Sequence, residues 1–323
     1  MQTNKIQTSL EDLAKELVRG NRVALLTHIS PDIDGIGSML ALGRALEQMG
    51  IQVDRILTEA IPRNFFFLAD LEKTVDEILW EEIDAVVALD CGDVERTGVA
   101  ESLAIKEVPL INIDHHPQSD PFGDHAYVDP ERSSTAEIIY DLLENMSIKI
   151  DKVIADMILA GIVCDTQGFQ VANTSPRVLE IASELMRCGA RIPSISRDLF
   201  RVKPLTALRL WGRVLDRIQV DQQTEMAYSV VREDDFEDLD ATKSDLEGLI
   251  NLINSASDAK FSLLLSEDGN NLIKGSLRSE EFEQIDVSKI AELFGGGGHR
   301  LASGFKFPGR IDEQNGTWVI KPA

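Results

Sequence analysis

Apolar and polar positions along this chain follow two periods, and they predict two folding units. Leu10, Leu13, Ala14, Leu17 and Val18 recur at helical spacing, so residues 9–19 are expected to form an amphipathic helix. Thr8 and Glu11 are spaced as its capping box. Short apolar runs then alternate with helical stretches. Val23–Thr27, Val53–Leu57, Ala85–Leu89 and Pro109–Ile113 read as buried strands; 36–49 and 94–104 read as helices. Ala85–Leu89 has no polar side chain, as expected at the centre of a parallel sheet. This alternation predicts an α/β fold with an N-terminal doubly wound parallel sheet.

From about residue 134 the pattern turns helical, over 134–145, 151–163 and 176–188, with Gly189 as a stop. Residues 190–222, with Pro193 and Pro204, read as a helical connector. Beyond it, strands over Ala227–Val231, Phe261–Leu265 and Leu272–Leu277 and helices over 242–254 and 286–294 predict a smaller α+β domain. The expected division is therefore 1–189, 190–222 and 223–323.

Composition narrows the partners. A formal net charge of −23 over 323 residues repels long nucleic acid, whose binding rests on basic surface. A phosphate-bearing substrate would have to be short, or be met by metal ions and a local basic patch. The charge taken alone is explained equally well by solubility. Cys91, Cys164 and Cys188 form no paired framework, which fits a reducing compartment. Met1–Lys5 carries no apolar signal core, and no run approaches the roughly twenty apolar residues that span a bilayer. The expectation is a soluble cytoplasmic protein without a membrane partner.

The chemistry gathers where apolar segments end. The first strand runs into His28-Ile29-Ser30-Pro31-Asp32-Ile33-Asp34-Gly35. By itself this turn is either a helix cap or half of a cation site. Three more segments end the same way, in Asp90-Cys91-Gly92-Asp93, Asp114-His115-His116 and Asp165-Thr166. The ends of parallel strands share one edge of a sheet, where ligands bind. His28, Asp32, Asp34, Asp90, His115 and Asp165 are therefore expected to converge on two divalent ions. Imidazole and carboxylate without thiolate suit Mn²⁺ best and allow Mg²⁺, Fe²⁺ or Zn²⁺. Two ions about 4 Å apart could share Asp90 and a bridging hydroxide for phosphoryl hydrolysis. Cys91 and Cys164 are read as small core residues, because extended segments would turn each away from its aspartate. His125 is read as a loop histidine.

In the second domain the run Gly295-Gly296-Gly297-Gly298 is followed by His299 and Arg300. Such a run is either a linker or a place where backbone amides approach a phosphate. His299 can donate to the same phosphate, and Arg278 can pair with it through two nitrogens. Ser133-Ser134-Thr135 at a helix start either add hydroxyl or amide donors for substrate, with Ser134 foremost, or are a plain N-cap.

His28-x-x-Pro31-Asp32-x-Asp34-x-x-Gly37-Ser38, the Asp90 motif, Asp114-His115-His116 and Asp165-Thr166 resemble, in order, the four motifs of the DHH phosphoesterase superfamily. Gly296-Gly297-Gly298-His299 resembles the signature of its DHHA1 domain. The two-domain layout, with Phe169-Gln170-x-x-Asn173-Thr174, is similar to the nanoRNase and pAp phosphatase branch, NrnA. The resemblance implies one metal on His28, Asp32 and Asp90 and another on Asp34, Asp90, His115 and Asp165. It implies that His116 faces the scissile phosphate, that Asp114 orients the neighbouring histidines, and that the second domain, with Arg278, Gly296–Gly298 and His299, grips the substrate's terminal phosphate or the adjacent nucleotide. Gln167, standing between Thr166 and Gly168, departs from the pattern and puts the shape of that loop in question.

The resulting expectation is a metal-dependent phosphoesterase for short oligonucleotides, with pAp as a further substrate; a homodimer is compatible with it. Rival readings are a phosphodiesterase of cyclic or linear dinucleotides, a pyrophosphatase, and a non-catalytic nucleotide-binding protein.

Overall fold

The computed structural model describes residues 7–59, 61, 65–75, 80–105, 108–117, 119–314 and 317–322. The N-terminal stretch Met1–Lys5 lies outside them. The chain divides into two compact units, Met1–Val202 and Lys203–Ala323. Of the expected connector, residues up to Val202 fall in the first unit and the rest in the second.

The first unit runs α1 (Leu10–Leu17), β1 (Arg22–Thr27), α2 (Ile33–Gln48), β2 (Gln52–Ile56), β3 (Thr74–Val75), β4 (Ala85–Leu89), α3 (Ala100–Ala104), β5 (Leu110–Asp114), β6 (His125–Val128), α4 (Thr135–Asn145), α5 (Lys152–Asp165), α6 (Pro176–Arg187) and α7 (Ile192–Ser196). Its six strands are all parallel, in the order β3-β2-β1-β4-β5-β6. The expected parallel sheet is present. The strand order reverses between β1 and β4, where α/β folds open a crevice for ligands. One face of the sheet lies under α2, α4 and α5 in the larger apolar cluster; the other lies under a thinner cover that includes Leu103 of α3. The core is why α2 is buried almost all round: it runs between the sheet and α4 and α5. Gly161 of α5 permits that packing, since a Cβ there would come within 2.6 Å of both Asp34 and Ala136.

Several local expectations are corrected. Ser9, not Thr8, caps α1, because its hydroxyl accepts from the Asp12 amide while the Thr8 amide donates to Ala126 of β6. The expected helix 94–104 is a 3₁₀ turn, Glu95–Thr97, followed by α3. Gly98 between them has φ +72°, which no right-handed helix continues. His125 belongs to β6, pairing with Ile111, and not to a loop. Cys91 is a buried core residue as read, its thiol pushed up by burial. Cys164 also packs on the core, but on a helix, so strand alternation is not what turns it from Asp165.

The second unit comprises α8 (Leu205–Asp216), β7 (Gln219–Asp221), β8 (Met226–Val231), α9 (Glu233–Leu239), α10 (Leu249–Asn254), β9 (Phe261–Glu267), β10 (Leu272–Ser279), α11 (Val287–Glu292), β11 (Gly297–His299), β12 (Ala302–Pro308), β13 (Arg310–Gln314) and β14 (Thr317–Lys321). Its main sheet is ordered β11-β12-β10-β9-β8-β7, antiparallel except for β8 on β9. α8 and α10 cover one face and α11 the other. The expected helix 242–254 is interrupted by Gly248 at φ +88°, leaving a 3₁₀ turn at Lys243–Leu246 and then α10. Among the described residues no helix is long and apolar enough to cross a membrane.

Candidate active site

The crevice is furnished by the ends of β1, β4 and β5, the start of α2 and the last turn of α5. Thr27 and Leu89, the last residues of β1 and β4, lie in register, so His28 and Asp90 leave the sheet side by side. The His28 Nε2 atom is 3.5 Å from Asp90 Oδ2 and 3.7 Å from Asp32 Oδ1. Its Nδ1–H donates to the Ile29 carbonyl at 2.8 Å, which fixes the ring with Nε2 toward the carboxylates. His115 is arranged the same way. Its Nδ1–H donates to the Arg132 carbonyl at 3.4 Å, and Nε2 is 3.1 Å from Asp165 Oδ2, 3.7 Å from Asp90 Oδ1 and 4.0 Å from Asp34 Oδ2. Asp90 thus turns one oxygen to each imidazole. Its backbone is left-handed at φ +61°, a conformation aspartate tolerates better than most residues, and this turn aims the carboxylate.

The carboxylates are held by backbone. Asp32 caps α2, its Oδ1 accepting from the amides of Asp34 and Gly35 at 3.0 and 3.1 Å. The cap and the cation-site readings of this turn therefore describe the same side chain. Asp34 is wholly buried and accepts from the first amides of α4, Thr135 at 2.7 Å and Ala136 at 2.9 Å. These are amides that a helix start leaves without a partner in the helix. Asp165 ends α5. Gln167, Gly168 and Phe169 after it all have positive φ, and the Gly168 amide returns to the Val163 carbonyl at 2.7 Å. The added Gln167 is thus taken up in a left-handed turn while Asp165 stays on the helix.

So many acids in one crevice cannot all ionise. Burial, with Asp165 and Asp90 nearby, pushes the Asp34 carboxyl well above the usual range, and burial raises Asp165 to about 6 against the pull of His115. Asp90 is held far below that range because His28, His116 and His115 outweigh its burial. Burial alone would lower His28, but Asp32 and Asp90 push it up to about 11; His115 rises for the same reason, through Asp165 and Asp90. Cationic imidazoles therefore fill the role that a metal ion can take over.

The donor set fits a divalent cation. His28, Asp32 and Asp90 form one group, Asp34, His115 and Asp165 a second, and Asp90, His115 and His116 a third; within each, the ligand atoms lie within 4.8 Å of one another. The donors are imidazole nitrogen and carboxylate oxygen, with no thiolate, as Mn²⁺, Mg²⁺, Fe²⁺ or Zn²⁺ accepts. Asp114 stands beside the third group. Asp114 is wholly buried, and its Oδ1 accepts from His116 Nδ1 at 2.8 Å.

The DHH family N-terminal domain matches residues 22–162 and the DHHA1 domain matches residues 223–317. A bifunctional oligoribonuclease and PAP phosphatase NrnA from Thermus thermophilus is 32% identical over 291 residues, 89% of this chain and 84% of that relative. The chain belongs to the DHH family. A Bacillus subtilis protein of the same description is 26% identical over 91% of each chain. The crystal structure of an exopolyphosphatase-related protein from Bacteroides fragilis matches with a TM-score of 0.86 at 29% identity, over 94% of this chain and 93% of that one.

In this DHH protein the six expected ligands and His116 come together, and Ser134 does not join them. Ser134 is wholly buried, and its hydroxyl accepts from the Glu137 amide at 3.1 Å as the N-cap of α4. Its neighbour Thr135, the third residue of the same run, donates Oγ1–H to Asp90 Oδ1 at 2.9 Å and not to a substrate position. The signal for it was the Ser133-Ser134-Thr135 run itself, in which only the fold decides which hydroxyl faces inward.

In the second unit Arg278 donates from Nε to Asn251 Oδ1 at 3.0 Å and from Nη1 to the Leu277 carbonyl at 2.8 Å. Gly297, Gly298 and His299 form the edge strand β11, with His299 opposite Ala302 and Ala302 opposite Arg278. The glycine run is therefore a tight hairpin and not a linker. A Cβ on Gly296 would lie 2.2 Å from the Gly304 carbonyl oxygen, and one on Gly298, at φ +135°, 2.7 Å from that of Ala302.

Proposed function

We propose that the protein hydrolyses phosphoester bonds in short oligonucleotides and removes phosphate from pAp, with two divalent ions, most suitably Mn²⁺. The observation that carries this reading is the single carboxylate of Asp90 shared between two His–Asp clusters at the switch point of the sheet. Its support from relatives is the oligoribonuclease and PAP phosphatase activity named for the Thermus and Bacillus proteins.

His28, Asp32 and Asp90 would hold one ion, and Asp34, Asp90, His115 and Asp165 the other. When bound, such ions act as Lewis acids toward phosphoryl oxygen and make water acidic enough to react near neutral pH. The chain's own groups do the rest. Thr135 fixes the Asp90 carboxylate, and the α4 amides fix Asp34. Asp114 holds the proton on His116 Nδ1 and raises the basicity of the ring against its burial. Proton delivery to the leaving oxygen then falls to His116 Nε2. Arg278, His299 and the amides of Gly296–Gly298 are assigned to a substrate phosphate or its nucleotide. The free cysteines Cys91, Cys164 and Cys188 fit action in the cytoplasm.

The test is a hydrolysis panel with Mn²⁺, Mg²⁺ and Zn²⁺. It compares di- to pentaribonucleotides, pAp, cyclic dinucleotides, pyrophosphate and a long RNA. Metal-dependent cleavage of the short oligonucleotides and pAp above the others is expected. Preference for pyrophosphate or for cyclic dinucleotides would overturn the substrate assignment.

A further inference from the structure

The helical layer of the second unit covers only part of one sheet face. α8 and α10 pack over β8 and β9, burying Leu210, Val214, Ala227, Leu249, Ile253 and Leu264. The same face continues onto β10, which α10 reaches at Arg278 through Asn251, and onto β12, where the face is exposed at Lys274 and Lys306. There Lys274, Ser276 and Arg278 lie opposite Lys306, Gly304 and Ala302. Paired residues of neighbouring strands project to one side of a sheet, so these six form one shelf. The alternate residues, among them Leu277 and Phe305, are buried on the other side against Val287 and Ala291 of α11.

The shelf has a floor of small residues and cations at both ends. Arg278 marks one end, beside His299 of β11. Lys274 and Lys306, both exposed, mark the other. At that end Lys243 and Lys306 share Asp268, with Nζ–Oδ distances of 2.6 and 2.7 Å. Among the described residues no carboxylate forms an ion pair with Lys274. Three lysines thus face one carboxylate, on a chain whose net charge is −23. Lys274 and Arg278 are four steps apart along the strand, a span of about 13 Å. One sugar–phosphate step is shorter than that.

We infer that Lys274 and Lys306 form a second phosphate position on this shelf, engaged by an oligonucleotide at least two linkages away from the phosphate at Arg278 and His299. This rests on the proposed oligonucleotide activity and adds a length preference to it. pAp and dinucleotides are too short to reach both ends; tri- to pentanucleotides reach them and gain affinity.

The test is the double variant Lys274→Glu, Lys306→Glu in the full chain, with folding checked by circular dichroism. For the tetranucleotide, kcat/KM is expected to fall tenfold or more, through KM; for the dinucleotide and pAp it stays within twofold. The dependence of log KM on log salt for the tetranucleotide also falls by roughly 0.7 for each phosphate that is no longer neutralised. Equal losses at every length, or no loss with the tetranucleotide, would overturn the inference. If the wild-type protein cleaves no dinucleotide, the activity reading fails instead, and the inference is judged by fluorescence anisotropy. Wild-type protein must then bind fluorescein-labelled tetraadenylate at least tenfold more tightly than the labelled dinucleotide, and the variant must lose that difference. Identical binding by variant and wild type would refute it.

Discussion

Thr135→Val separates the shape of the site from its hydrogen bonding. Valine nearly matches threonine in volume and keeps the amide that Asp34 accepts, so the start of α4 stays in place. What disappears is the hydroxyl that donates to Asp90 Oδ1 at 2.9 Å, at a place where neither residue meets solvent. A hydrogen bond to a charged acceptor contributes about 1.5–3 kcal/mol. The loss divides between two measurable quantities. One part lowers the stability of the metal-free protein, because Asp90 is ionised there too. The remainder weakens cation binding, because the two Asp90 oxygens are no longer held toward different imidazoles. If all of it falls on binding, the loss is about 10- to 100-fold, at about 1.4 kcal/mol per tenfold, which is the range seen when a group supporting a metal ligand is removed. Urea unfolding of the metal-free protein and calorimetric titration with Mn²⁺ together recover the whole. Thr135→Ser keeps the hydroxyl and should restore both. The reasoning fails if Thr135→Val matches wild type in both measurements, or if the serine variant is as impaired as the valine variant.

Two further outcomes are expected. His116→Ala should lower kcat on a dinucleotide by about 10²–10⁴-fold, the usual range for a lost general acid. It should cost far less on a nucleotide p-nitrophenyl ester, whose leaving group needs no proton; equal losses on the two substrates would take proton transfer away from His116. Asp235→Asn should destabilise the second unit by about 1–3 kcal/mol, since it takes the charge from a buried acceptor that Arg217 meets at 2.8 Å, while the partly exposed guanidinium keeps its contacts with the Val230 carbonyl and Trp318. Burial alone would raise the Asp235 carboxyl, but Arg217 outweighs it and holds it below its usual value. Its contribution is therefore present above the unfolded carboxyl's value, about 3.9, and is lost as pH falls through the lower folded value. Urea midpoints of wild type and variant should differ at pH 7 and converge toward pH 2; a constant gap would argue against the ion pair.

The amino-acid sequence by itself determined the parallel sheet and the six candidate ligands that the crevice brings together. Both are local properties: each motif is an apolar strand or helix followed at once by acids or histidines, and parallel connectivity brings strand ends to one edge. The elements it passed over are those with little local signal. β3 and β6 are short and lie at the sheet's edges, and β11 is mostly glycine and becomes a strand only because β12 pairs with it. The breaks at Gly98 and Gly248 depend on single backbone angles that helical periodicity does not register. Tertiary structure alone decided how the site is divided. Asp90 meets His28 with one oxygen and His115 with the other; Thr135, 45 residues on, fixes that carboxylate; and α4 turns its first amides, not Ser134's hydroxyl, toward Asp34 about a hundred residues away. Pairings that distant carry no periodic trace in the chain, because they arise only when the strand ends and helix starts are packed into the same crevice.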